Sequence, residues 1–369
     1  MIINAKTILT GLFASPSTHS ISPIMHNNAF EKLGLNFAYL SFEVNKDNLK
    51  DAVKSIKTLN MRGVNLSMPN KKEVIQYLDE ISEIAKLSQS VNTIVNYNGI
   101  LKGYSTDGKG FFKSLEEENI DIKNKNITIL GTGGASISII SQAVFEGINN
   151  IFVFKRDKNW DEQKKILDNI ASKTNCKIEL YSLEDKNILK NKIEESNLLI
   201  NATSVGMKEN ISLIEDKNFF RKDLIVSDCI YNPAKTKLLQ IAEKEGCKII
   251  NGMGMLLYQG ALAFELWTNK QMPVDYIKEI IDVQHLKNIV LPKSLYRIYG
   301  YIQVENVYID QTYDWYQSQQ NAYHWVLERI IWNNTTIYVR DSQLRDYFQE
   351  KNHETLERYN AVISDVYDW

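Results

Sequence analysis

The stretch Asn126 to Ser136, Asn-Ile-Thr-Ile-Leu-Gly-Thr-Gly-Gly-Ala-Ser, constrains this chain more than any other. Ile127 to Leu130 is a short apolar run rich in β-branched residues, the composition of a buried parallel strand. It breaks at Gly131-Thr132-Gly133-Gly134, after which Ile137 to Phe145 carries apolar residues at helical spacing. A strand, a glycine turn and a helix in succession aim backbone N–H groups and a helix N-terminus at a diphosphate. Gly131 permits the tight turn, and Gly133 lets the backbone approach a phosphate with no Cβ between them. The full fingerprint has a third glycine, where this chain has Ser136. An ordinary α/β turn uses the same glycines; the flanking strand and helix favour a dinucleotide.

Further strands are expected at Asn150 to Phe154, Lys177 to Tyr181, Asn197 to Asn201, Leu224 to Asp228 and Lys248 to Ile250, alternating with helices. That alternation predicts a doubly wound parallel sheet, a Rossmann-like α/β fold. Asn201 to Met207 is a polar strand end beside the expected cofactor crevice. Phe154 is followed by Lys155 and Arg156, two cations suited to a ribose 2′-phosphate, with Asp157 next.

The N-terminal part reads as a second α/β unit. Strands are expected at Thr7 to Ala14, Phe37 to Val44, Gly63 to Pro69 and Asn92 to Val95, and Asn98-Gly99 signals a hairpin. Helices are expected from Ser22 to Leu33, from Asp47 to Leu59 with Leu49, Val53, Ile56 and Leu59 on one face, from Glu73 to Ile84, and from Lys109 to Glu117. Ser22 before Pro23 is the pattern of an N-cap and first helical residue. Ser20 and Ser22 together place two hydroxyls where a carboxylate is welcome. Lys71 follows a strand end and faces a cleft or solvent; Asp107 is a candidate site residue or only a helix cap.

Charge and composition exclude several classes. The net charge is −2, so nothing points to nucleic acid or a membrane surface. Cys176, Cys229 and Cys247 are far apart in sequence, as in a reduced cytoplasmic protein. Met1 to Ser15 lacks the features of a secretory signal, and none of the five histidines has a partner at zinc-site spacing, so no metal is expected.

From Thr7 to about Ile281 the chain resembles the shikimate dehydrogenase family. The motifs that carry this are His19 to Asn27, Asn65 to Lys71, Val91-Asn92-Thr93, Ser105 to Gly108, Gly131 to Ser136, Asn201 to Met207, Tyr231-Asn232-Pro233 and Gly252 to Gly260. The resemblance implies NADPH-dependent reduction of 3-dehydroshikimate to shikimate, in aromatic amino-acid biosynthesis. By the same resemblance Ser20 and Ser22 hold the substrate carboxylate, and Ser67, Asn92 and Gln259 bind its ring hydroxyls with Tyr231 nearby. Lys71 and Asp107 flank the reacting oxygen. Gly131, Thr132, Gly133, Gly134 and Ala135 cradle the NADP diphosphate, Lys155 and Arg156 take the 2′-phosphate, and Cys229 and Gly252 lie near the nicotinamide. Ser67 replaces the family's usual threonine, Ala14 and Ser15 replace a glycine and an aromatic, and Phe154-Lys155-Arg156 departs from Asn-Arg-Thr. A quinate-active relative using NAD, and a binding protein that kept the fold, are the rival readings. The implied domains are residues 1–106, completed by 250–281, for substrate, and 107–249 for NADP.

Residues 283–369 fall outside the resemblance. Of these 87 residues 16 are Phe, Tyr or Trp, a content at odds with disorder. Strands are expected within Leu295 to Ile309 and at Thr335 to Val339, and helices at Tyr313 to Trp332 and Ser342 to Val362. This reads as an appended small α+β domain, with its aromatics in a core or at an interface with a partner protein or a second copy. Acids outnumber Lys plus Arg there by 11 to 8, against a nucleic-acid role.

Overall fold

The computed structural model describes residues 3–156 and 158–287, and the segments 301–304, 307–310, 328–332 and 335–339. The chain divides into two compact units, Met1–Val274 and Asp275–Trp369.

The first sheet contains β1 (Ile8–Ala14), β2 (Phe37–Glu43), β3 (Gly63–Leu66), β4 (Glu80–Ile81), β5 (Thr93–Tyr97) and β6 (Ile100–Tyr104), in the order β2-β1-β3-β5-β6-β4. β1 runs parallel to β2 and β3, whereas β5 is antiparallel to both its neighbours. The asparagine–glycine signal is realised: Asn98 and Gly99 both take positive φ, at 53° and 98°. The connecting helices are α1 (Ser22–Lys32), α2 (Leu49–Thr58), α3 (Asn70–Glu73), α4 (Glu83–Ser88) and α5 (Asp107–Glu117). Leu49, Val53 and Ile56 are buried as expected; Leu59 lies past the end of α2 and is 61% exposed.

The helix expected over Glu73 to Ile84 does not form. The chain makes α3, a single tight turn at Val74–Tyr77 and the short strand β4. Tertiary pairing explains the break. The Asp79 N–H donates to Leu101 O at 3.1 Å, while its carboxylate accepts the Leu101 N–H and the Lys57 ammonium. These bonds draw the segment onto the edge of β6 and override the local helical spacing.

The second sheet is fully parallel. β7 (Asn126–Leu130), β8 (Asn150–Lys155), β9 (Lys177–Ser182), β10 (Leu198–Asn201), β11 (Ile225–Asp228) and β12 (Lys248–Ile250) take the order β12-β11-β10-β7-β8-β9. The helices α6 (Gly134–Ala143), α7 (Trp160–Ala171), α8 (Lys186–Glu194) and α9 (Lys237–Lys244) complete this Rossmann-like layer. Strand order reverses between β7 and β10, where open α/β sheets place their ligands.

α10 (Met253–Thr268) follows the second sheet in sequence but packs against α5 and α1. Two glycines permit this approach. A Cβ on Gly110 would lie 2.5 Å from the Gln259 amide nitrogen, and one on Gly254 would lie 2.7 Å from Ser114 Cβ. Farther along α10, Trp267 is buried and its indole N–H donates to Ile94 O at 3.0 Å. Gly63 leaves room for that ring, since a Cβ there would sit 2.4 Å from Trp267 Nε1.

In the second unit α11 (Val274–Lys287) crosses the boundary. The strands β13 (Tyr301–Val304), β14 (Val307–Asp310), β15 (Glu328–Trp332) and β16 (Thr335–Val339) form an antiparallel sheet in the order β14-β13-β16-β15. The strands expected in 301–309 and at Thr335 to Val339 are present. The helix expected over Tyr313 to Trp332 is replaced at its end by β15, because Ile330-Ile331-Trp332 pairs with β16 as a hairpin. The rest of that helix, the helix at Ser342 to Val362 and the start of the run at Leu295 lie outside the described residues. Among the described residues no helix is long and apolar enough to cross a membrane.

His26 lies in the core of the first layer, stacked on Tyr39 at 4.4 Å and packed beside Phe264 and Trp267. Burial pushes its pKa down to about 3, and neither ring nitrogen has a hydrogen-bond partner. The folded protein therefore holds His26 neutral while the unfolded chain takes up a proton below pH 6.5. Stability falls as pH drops from 6.5 toward 3, at about 1.4 kcal/mol per pH unit from this group. His26→Phe should flatten that acid limb in urea titrations; an unchanged limb would show that the imidazole does not carry it.

Candidate active site

A cleft of about 890 Å³ opens at the C-terminal ends of the strands of both sheets. Its walls include Ser20, Ser22, Ser67, Lys71, Asp107, Gly131 to Ala135, Lys155, Arg156, Cys229, Tyr231, Gly252 and Gln259. Folding thus gathers the residues expected from sequence, with Asn92 set behind the wall.

Lys71 projects from the short helix α3, directly after the turn that ends β3. Its ammonium donates to Asp107 Oδ2 at 2.6 Å, with the two side chains 21% and 6% exposed. Asp107 is the first residue of α5, and the preceding Thr106 makes no side-chain cap. The carboxylate is spent on Lys71 and Asn92 rather than on helix N–H groups. Asn92 shares its amide hydrogens among Asp107 Oδ1 at 2.9 Å, Thr106 Oγ1 at 2.8 Å and Gln259 Oε1 at 3.2 Å. Its own oxygen accepts the Thr106 N–H at 2.7 Å. Through these bonds Asn92 holds Asp107 and Gln259 together at the back of the cleft.

Ser20 Oγ, not Ser22, accepts an N–H at the start of α1, from Ser22 at 3.2 Å. The helix cap position is Ile21 and carries no side-chain cap bond, so the expected cap at Ser22 is displaced by one residue. Nearby, burial pushes the pKa of the Tyr39 phenol up. Tyr39 donates to Asn65 Oδ1 at 2.8 Å. The loop before α1 is tethered by Glu43, which accepts the Ser17 N–H at 2.8 Å; hydrogen bonds from Ser15 and Ser17 hold its carboxyl below the usual range. Asn65 lines the cleft and escaped the sequence reading as a site residue, although an asparagine inside the apolar strand Gly63-Val64-Asn65-Leu66 was a visible signal. On the opposite wall burial raises the Tyr231 phenol.

The glycine turn forms the other side. Gly131 takes φ +103°, and a Cβ on it would press on the Thr203 methyl at 2.8 Å. Ser136, in the place of the third glycine, donates from Oγ to Gly131 O at 2.6 Å and braces the turn. A Cβ on Gly133 would meet nothing within 4 Å, and the start of α6 has no side-chain cap. Open space before uncapped helix N–H groups is what a diphosphate needs, so the residues fit a dinucleotide. Lys71 closes in from across the cleft, its Cδ 3.8 Å from where a Gly134 Cβ would stand.

Lys155 is held by its own loop. Its side chain is buried, the ammonium donates to Arg156 O and Lys158 O, and it lies over the Trp160 ring at 5.3 Å. It clamps the loop after β8, and Arg156 and Lys158 remain as cations on the cleft wall. Gly252 N–H donates to Ile230 O at 3.0 Å, and a Cβ there would collide with Cys229 O at 2.1 Å. Burial and the Asp228 and Asp107 carboxylates push the Cys229 thiol up, so it stays protonated.

Residues 12–94 match the shikimate dehydrogenase substrate binding domain family, and residues 252–281 match the shikimate 5′-dehydrogenase C-terminal domain family. The chain is 49% identical over 282 residues to the shikimate dehydrogenase (NADP(+)) of Listeria innocua, covering 76% of this chain and 97% of that one. It is 43% identical to a quinate/shikimate dehydrogenase of Escherichia coli, over 76% and 99% of the two chains. Among solved structures it is similar to Listeria monocytogenes shikimate 5-dehydrogenase in complex with shikimate and NAD, with a TM-score of 0.73 and 48% identity, covering 76% of this chain and 98% of that one.

The two glycines of the turn predict opposite effects. Gly133→Ala should leave the melting temperature unchanged but weaken dinucleotide binding measured by direct titration. Gly131→Ala should destabilise the fold by more than about 1 kcal/mol, from its positive φ and the Thr203 contact. Equal melting losses for both would contradict the cradle geometry.

Proposed function

This chain belongs to the shikimate dehydrogenase family, and we infer from that membership that it catalyses the reversible NADPH-dependent reduction of 3-dehydroshikimate to shikimate, a step of aromatic amino-acid biosynthesis. The observation that carries the residue assignment is the Lys71–Asp107 pair at 2.6 Å, placed against the start of α6. It brings an acid–base pair beside the diphosphate cradle in one cleft.

NADP, when bound, supplies the hydride chemistry; the rest falls to side chains of this chain. Ser20 and Ser22 hold the substrate carboxylate at the start of α1, and Ser67, Asn92 and Gln259 bind the ring hydroxyls with Tyr231 nearby. Lys71 holds the proton at the reacting oxygen, and Asp107, itself fixed by Asn92, orients the ammonium. Gly131 to Ala135 receive the diphosphate through backbone N–H groups. Arg156 reads the 2′-phosphate, with Lys155 shaping its loop from behind. The substrate lobe is residues 1–106 with 250–281, supported by the packing of α10 on α1 and the Trp267 bond to Ile94 O; residues 107–249 are assigned to the NADP lobe. The unpaired cysteines Cys176, Cys229 and Cys247 suit a cytoplasmic setting. Residues 283–369 are assigned to self-association or a partner protein, supported by their aromatic content. Light scattering of a chain ending at Asp282 tests that role, and an unchanged number of subunits would remove self-association through this segment.

Lys71→Ala should lower kcat by a factor on the order of 10²–10⁴, with a smaller effect on shikimate binding. Wild-type kcat in that variant would remove Lys71 from the proton step. Arg156→Ala should raise the KM for NADPH and leave that for NADH unchanged, whereas Lys155→Met should disturb both through the loop. The same assays with shikimate and quinate decide between the activities named for the relatives; faster turnover of quinate with NAD would overturn the assignment.

A further inference from the structure

Behind the cleft, Asp228 ends β11 fully buried and takes no part in the proton step. Donors from three segments converge on its carboxylate. Asn201 Nδ2 reaches both oxygens at 3.1 Å, the Thr236 hydroxyl donates at 2.7 Å and the Ile230 N–H at 3.0 Å. Asn201 passes the constraint along the loop after β10. Its oxygen accepts the Thr203 N–H at 3.1 Å and hydroxyl at 2.7 Å, and its amide donates to Val205 O at 3.2 Å. Thr203 Oγ1 then accepts the Val205 N–H at 3.1 Å. Thr203, Ser204 and Val205 form one part of the cleft wall, and Cys229, Ile230 and Tyr231 form another. Thr203 also touches the glycine turn, its methyl being the atom that a Cβ on Gly131 would meet.

We propose that Asp228 is a positioning residue for hydride transfer, holding the 202–207 loop on the dinucleotide side in register with the 229–231 turn on the substrate side. The inference rests on the dehydrogenase reading of the cleft. A carboxylate suits the position because it only accepts, and every group that faces it donates. An amide of the same shape would turn one accepting atom into a donor and set it against Asn201, Thr236 or Ile230. Burying the charge costs desolvation that the hydrogen bonds offset, so its contribution lies in fixed geometry more than in stability. Small displacements of the two walls misalign the reactants, and that loss is read in the rate.

The test compares wild type, Asp228→Asn, Thr236→Val and Thr236→Ser. It measures kcat, both KM values, the primary isotope effect with NADPH deuterated at the transferred position, NADPH affinity by fluorescence titration, and melting temperature. Asp228→Asn should lower kcat about tenfold or more, enlarge the isotope effect and weaken NADPH binding. Thr236→Val should follow in the same direction, and Thr236→Ser should restore wild-type values. Thr236 lies off the cleft wall, so Thr236→Val reads the network even if Asp228→Asn does not fold. A lowered melting temperature with wild-type kcat, isotope effect and NADPH affinity, in whichever of the two folds, would make Asp228 a stability residue only and overturn the proposal. Wild-type turnover of shikimate is the separate control: its absence refutes the dehydrogenase reading, whereas the NADPH titration still reports on the loops.

Discussion

The contact between α5 and α10 is the constraint on which the site depends. Gly110 and Gly254 let these helices meet at a separation that a Cβ would block. α5 begins with Asp107, and α10 carries Gln259 two turns along. Their approach brings the acid–base pair, the Asn92 amide and the Gln259 side chain into one hydrogen-bonded group. Thr106 ties the same place through its hydroxyl to Gln259 O at 3.1 Å. Because the α10 segment follows the second sheet in sequence and packs with the first layer, the chain crosses between the two lobes twice. The cleft lies where those crossings hold the strand ends together.

Around that contact, function rests on polar groups that are buried and satisfied. Asn65, Asn92, Asn201 and Asp228 are all nearly excluded from solvent, and each makes several hydrogen bonds. In a low-dielectric setting an unmet bond is costly, so such groups admit few alternative arrangements. His26 shows the contrasting solution: it is buried without partners and stays neutral, acting as an aromatic plate between Tyr39 and Phe264. Lys155 shows a third, with its charge satisfied by loop carbonyls.

Local sequence pattern carried much of the fold. The parallel strands of the second sheet, the glycine turn, the Asn98-Gly99 hairpin and the buried face of α2 are all legible because each depends on residues close in sequence. Legibility ended where a distant strand competes for the same backbone. The segment after Glu73 has helical spacing yet joins β6 through Asp79, and Ile330 to Trp332 pairs with β16 rather than continuing a helix. The cap at the start of α1 and the hydrogen-bond partners of Asn92 and Lys155 were likewise not legible from residue type, because each depends on which acceptor or donor lies within reach.

The sequence by itself determined a dinucleotide turn, a lysine and an aspartate in separate motifs, and the family to which those motifs belong. Such features follow from residue type and short spacing, which local sterics and hydrogen bonding translate directly into conformation. Only the tertiary structure decided that Lys71 and Asp107, 36 positions apart, stand at 2.6 Å, that Lys155 faces inward, and that Asp228 joins the two walls of the cleft. Those outcomes depend on which distant groups packing brings within hydrogen-bond distance, and no local pattern encodes that choice.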